Sequence, residues 1–158
     1  MSRSGANLAL LLLGGFRSLA DAANVELSRR GFEDVRPAHE FAMRAIAAGA
    51  GNASELGRRL AVSKQAASKT IALLEQRGYV ARKGGAGMRR KRLKVTARGF
   101  EMLRQGEAIF EDLRDRWAQQ IGRANLKKLE ALLTELVGPM PVRMDAPGWI
   151  AQDPADPG

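Results

Sequence analysis

Apolar side chains recur along the first thirty residues at helical intervals. Leu8, Leu11, Leu12, Leu19, Ala22, Ala23 and Leu27 predict a helix over residues 7–30, with Gly31 as its stop. Gly14 and Gly15 mark a place where it could bend. Pro37 suits a helix start, and Phe41, Ile46 and Ala47 give that helix an apolar face up to Gly49. Asn52-Ala-Ser-Glu55 has the spacing of a capping box, with Asn in place of Ser or Thr, and opens a short helix to Leu60. A tight connection at 61–63 follows. Ser63 caps a helix over 64–77, and Gly78 closes it. Residues 79–82 and 91–95 have strand character around a glycine-rich tip at 84–87. Thr96 then caps a long helix, with Phe100, Leu103, Phe110, Leu113, Trp117 and Ile121 at steps of three, four or seven. Gly122 interrupts it. Asn125 opens a last helix with Leu126, Leu129, Leu132, Leu133 and Leu136 on one side, closed by Gly138-Pro139. The reading is mainly α with a small β-hairpin. Five of the six prolines fall in 139–158, so that stretch is expected to be a flexible tail.

The helix over 64–77 divides cleanly when its residues are laid out at 100° each. Leu73, Ala66, Thr70, Leu74, Ala67 and Ile71 fill one half, and Lys64, Gln65, Ser68 and Lys69 fill the other. The first half would dock on a core. The second, near the N-terminus, offers side chains that suit base edges and phosphates. With the short helix and three-residue turn before it, this is the spacing of a helix-turn-helix. Taken alone, such a helix is equally an amphipathic surface helix whose lysines face water.

Charge changes the picture. Residues 58–98 hold thirteen Lys and Arg and a single acid, Glu75. The segment carries +12 in a chain of net +9, so the remainder is acidic by three. Basicity that local is a binding footprint rather than a general solubility charge, and it points to nucleic acid. Arg89-Arg-Lys-Arg92 beside the glycine tip makes a cationic finger next to the exposed helix face, and arginine is favoured in a narrow minor groove. Together these predict a winged helix-turn-helix. Ser63, Lys64, Gln65, Ser68, Lys69 and Thr70 are its reading residues. Arg82, Lys83, Arg89, Arg90, Lys91 and Arg92 are its wing residues.

Chemistry of other kinds finds little to work with. The chain has no cysteine and one histidine, His39, so thiolate catalysis and Cys/His metal sites are excluded. Glycines at 84–87 do not have the spacing of a phosphate loop or a dinucleotide fingerprint. No enzymatic activity, cofactor or metal is expected. The apolar run at 8–13 is shorter than the roughly 20 residues that span a bilayer, and Arg3 is the sole early basic residue. No membrane association is expected, and the lack of cysteine fits a reducing cytoplasm.

Over residues 7–137 the sequence resembles the MarR (multiple antibiotic resistance regulator) family. The specific part runs over 54–80, from Ser54-Glu-Leu-Gly to Gln76-Arg-Gly-Tyr-Val80, then through the hairpin to Leu93-Lys-Val-Thr-Ala-Arg-Gly99. The family's wing ends in Asp-x-Arg before a Leu-Thr helix start. Arg89 matches the arginine and Val95-Thr96 the helix start, while Gly87 replaces the aspartate and Ala61 stands where a helix-turn-helix often has glycine. The resemblance implies a homodimeric regulator of transcription, commonly a repressor, on a palindromic duplex. It divides the chain into a dimerisation helix (7–36), a DNA-binding domain (37–95), dimerisation helices (96–138) and the tail (139–158). The interface is expected at Leu11, Leu103, Phe110, Leu113, Trp117, Leu129 and Leu136. A helix over 96–120 would be about 37 Å long, too long for so small a head to bury; the alternative is that these helices close a monomeric core. Relatives commonly bind small aromatic or anionic ligands. Phe16, Arg17, His39, Phe41, Met43 and Arg44 could line such a pocket or simply build the core. Two other functions remain open: a non-specific architectural DNA binder, and a basic protein–protein module.

Overall fold

The structure is a computed structural model and describes residues 3–84 and 91–138. Six helices and one hairpin follow in the order α1 (Ser4–Arg29), α2 (Pro37–Ala47), α3 (Ala53–Leu60), α4 (Lys64–Gln76), β1 (Val80–Lys83), β2 (Arg92–Val95), α5 (Ala97–Ile121) and α6 (Arg123–Val137). The expected helices and strands are all present, with boundaries moved by a few residues, while most of the glycine tip and the expected tail at 139–158 lie outside the described residues. Three details differ. α1 runs on through Gly14 and Gly15 without a break. The capping box is shifted: Asn52 Oδ1 accepts from the Glu55 amide at 2.9 Å, but the Glu55 carboxylate accepts from Gly51 rather than from Asn52. Asn125 lies inside α6, donating to the Ile121 carbonyl at 2.8 Å, and Gly122 occupies the cap.

α2, α3, α4 and the hairpin form a head on one continuous core. Met43 and Ile46 of α2, Leu56 of α3, Ile71 and Leu74 of α4, and Leu93 of β2 are buried together. The core reaches into α1 through Ala23 and Leu27, and into α5 through Met102, Leu103 and Ile109. α1 packs chiefly along α5, and α6 folds back on α5. The two strands are antiparallel, with Val80 opposite Val95 and Lys83 opposite Arg92. Alternation along β2 buries Leu93 and Val95 and exposes Arg92 and Lys94.

The head joins α5 at a tight knot. Thr96 caps α5 by accepting from the Gly99 amide at 3.1 Å, and its hydroxyl donates to the Gly78 carbonyl at 2.5 Å. Gly99 lies so close to the turn after α4 that a Cβ there would come within 2.2 Å of the Tyr79 carbonyl oxygen. Only glycine permits that approach. Arg98 closes the other side, its guanidinium 5.4 Å from the ring centres of both Phe32 and Tyr79.

Away from the knot, the start of α1 and one side of α6 are apolar and exposed. Leu8, Leu10, Leu11, Leu12 and Leu13 of α1 are exposed, as are Leu129, Leu132 and Leu136 of α6. α1 is, by length and composition, apolar enough to cross a membrane, although the uninterrupted run at 8–13 is short. Its second half cannot do so in this fold, because Ala20, Ala23 and Leu27 are buried against protein.

Candidate nucleic-acid interface

α4 is set by its caps and its packing. Ser63 Oγ accepts from the Ala66 amide at 3.0 Å and fixes the first turn. Ala67, Ile71 and Leu74 are buried, which turns Lys64, Gln65, Ser68 and Lys69 outward. All four are exposed, and Thr70 is half-buried at the edge of that face. The turn before α4 is held by Ala61 at φ 54°, ψ 41°, a left-handed conformation that costs an alanine about 1–2 kcal/mol. This is the position where glycine was noted as usual, and its geometry gives the reason.

Beside α4, the hairpin presents Lys83, Lys91 and Lys94, all exposed. Lys94 was counted in the basic segment but not singled out; alternation along the strand is the signal that finds it. Arg82 is exposed and lies 3.3 Å from Glu75 of α4 through its Nε. Arg89 and Arg90 lie outside the described residues.

Several of the thirteen cations are engaged by the protein itself instead. Arg77 donates to the Glu33 carbonyl at 2.8 Å and pairs with Asp34 at 2.9 Å, which holds the Asp34 carboxyl below its ordinary range. Arg98 lies on the aromatic pair and donates to the Gly31 carbonyl. Arg59 donates to the Ala45 carbonyl at 3.1 Å. Arg92 donates from Nη2 to the Gly49 carbonyl and to Glu55 Oε2, both at 2.9 Å. Glu55 is held below the ordinary carboxylate range, first by the Gly51 amide and then by Arg92. The footprint that remains outward is α4's first two turns and the lysines of the hairpin.

The other expected site residues divide. Leu11, Leu129 and Leu136 are exposed on the arms, and Phe110 and Trp117 are half-buried. Leu103 and Leu113 are buried within the chain's own core, which removes them from the surface a second copy could cover. Around the proposed pocket, Met43 is fully buried, while Phe16 and Phe41 are half-buried and Arg17 is exposed. His39 Nδ1 accepts from the Arg36 amide at 3.0 Å, at the start of α2. Arg44 bridges Glu40 at 2.8 Å and Glu107 of α5 at 3.1 Å. Met43, His39 and Arg44 thus each have a structural role in the chain.

This arrangement of helix, turn, reading helix and hairpin defines a winged helix-turn-helix. Residues 42–91 match the MarR family model, within the stretch that carries the sequence resemblance. A comparison with curated proteins finds no match. Among solved structures, the chain is similar to the Mycobacterium tuberculosis MarR family protein Rv2887 in complex with DNA, at 22% identity over 82% of this chain and 96% of that one, TM-score 0.62. It is similar to the same protein in complex with salicylic acid, at 24% identity over 82% and 95%, TM-score 0.61. It is also similar to YusO of Bacillus subtilis, at 18% identity over 87% and 97%, TM-score 0.64. At these identities the likeness establishes the fold: mainly α, with a two-stranded hairpin and flanking helices.

Proposed function

We propose that this chain is a sequence-specific regulator of transcription that binds double-stranded DNA as a homodimer. The observation that carries the reading is the outward face of α4. Lys64, Gln65, Ser68 and Lys69 stand together at the N-terminal end of a helix whose other side is locked into the core. A helix so fixed can enter the major groove with its first turns against base edges. Gln65, Ser68 and Lys69 read bases, with Ser63, Lys64 and Thr70 at their margin, while the hairpin cations grip phosphate or the minor groove. The Rv2887–DNA complex, on the same fold, supports this reading.

The exposed leucines of α1 and α6 support the homodimer, with residues 7–36 and 96–138 as its arms and 37–95 as its head. Two heads related by a two-fold axis meet successive major grooves, which calls for a palindromic operator with half-sites about 34–36 Å apart. Repression by occupancy of that operator, in the cytoplasm, is the simplest use of such a dimer. Relief by a small aromatic or anionic ligand between arms and head is a further part of the proposal, supported by the salicylic acid complex of Rv2887. Selecting bound duplexes from a random pool with the full chain tests the whole. The expected result is an inverted repeat with one fixed spacing. Recovery of unenriched sequences would favour a non-specific architectural binder, and recovery of none would leave a protein–protein module.

A further inference from the structure

The hairpin can act on a duplex only if its base is fixed relative to α4, and the strands alone do not fix it. Four residues each is short for a two-stranded ribbon, which has little stability of its own. β2 is tied to the segment before α3 by one backbone bond, from the Leu93 amide to the Gly51 carbonyl at 2.9 Å. Arg92 lies over that bond. Its Nη2 reaches the Gly49 carbonyl and Glu55 Oε2, and its Nη1 stands 3.5 Å from Glu55 Oε1. The same carboxylate accepts the Gly51 amide at 2.7 Å. The guanidinium is seated so closely that a Cβ on Gly51 would fall 2.3 Å from its Cζ. The planar, multiply donating head of arginine fits this fork; a lysine could satisfy one acceptor at a time.

We infer that Arg92 is a positioning residue of the DNA-binding surface rather than a contact to DNA. With Glu55 and Gly51 it clasps the hairpin base to the start of α3, and so sets where Lys83, Lys91 and Lys94 meet the duplex. This rests on the DNA-binding reading above. A phosphate gripped by both Nη groups of Arg92 would take them from Glu55 and the Gly49 carbonyl, leaving a carboxylate beside the phosphates.

The two roles differ in the sign of an experiment. Glu55→Gln removes a negative charge from the surface and takes the ionic partner from Arg92. If Arg92 were a phosphate contact held back by Glu55, the variant would bind a selected duplex more tightly. As a clasp, it should bind about three- to tenfold more weakly. Arg92→Lys keeps the charge; as a clasp it should lose a similar factor, whereas a simple phosphate contact would survive. Hydrogen exchange at the Leu93 amide reads the clasp without DNA, and should quicken in both variants. Unchanged exchange overturns the clasp. Quickened exchange with unchanged or tighter DNA binding overturns its positioning role. Quickened exchange in both variants with no duplex bound by the wild-type chain overturns the DNA-binding reading, and this inference with it.

Discussion

The head and the arms of this molecule bury their leucines differently. In the head, Leu56 and Leu74 are 0% and 1% exposed, and Leu93 on the hairpin is 1%. In the arms, Leu11 is 73% exposed and Leu136 83%. The same residue type is therefore core in one region and surface in the other. The head closes on itself, because two helix faces and a hairpin suffice to cover a short helix. The arms present long helices whose outer apolar stripes no other described residue covers, the pattern of an interaction surface. Charge follows the same division: the basic segment lies in the head, and the remainder of the chain is net acidic. Residues 7–36 and 96–138 each balance to no net charge, so the bare leucines there sit on a surface with no excess of cations for phosphate.

The sharpest way to break this contrast is to place one carboxylate in each region. Leu113→Glu puts a charge among the buried side chains of α5, and should cost about 3 kcal/mol or more, unfolding much of the population. Leu136→Glu touches a side chain already in water and should change the fold of the single chain by about 0.5 kcal/mol at most. It should nevertheless lower the mass measured by light scattering toward that of one chain. If both variants unfold, or neither changes the mass, the arms are not an unpaired interior. On the head, Gln65→Ala should weaken the selected site by about 1–3 kcal/mol and leave random duplexes unaffected. Equal losses on both would make α4 an anchor, not a reader. The smallest effect tests the turn that aims α4. Ala61→Gly removes a left-handed alanine and should raise stability by about 0.5–1 kcal/mol in thermal or urea unfolding, with DNA affinity unchanged.

Much of this was legible in the sequence, because caps and periodicity act locally. Ser63, Thr96 and Gly78 announced the ends of α4 and the start of α5, and each has the predicted role. The split of α4 into two faces followed from spacing alone. What the chain did not disclose is where a long side chain goes after it leaves the backbone. Arg77, Arg92 and Arg98 read as part of one cationic footprint, yet each reaches partners distant in sequence: Asp34, Glu55, Gly31. A guanidinium can face either way from the same strand or helix position, and only tertiary contacts decide. Leu103 and Leu113, expected at the interface, lie in the chain's own core for a related reason. Periodicity identifies the apolar stripe of α5 but not which part of it the chain covers with its own α1.

The contact of Gly99 with Tyr79 has a mechanical consequence. α5 leaves that point as a rod of twenty-five residues, about 37 Å from end to end. Its start is held against backbone, at the Tyr79 carbonyl, as well as against the Val95 side chain. A tilt of 5° at the pivot sweeps the far end through about 3 Å, given that length. Conversely, a shift of that size at the far end would rotate the head by only a few degrees. The geometry is that of a reduction gear: a coarse adjustment at the distal end becomes a fine one at the reading helix. A methyl group at Gly99 would wedge the pivot open and change the gear's setting without altering a single charge.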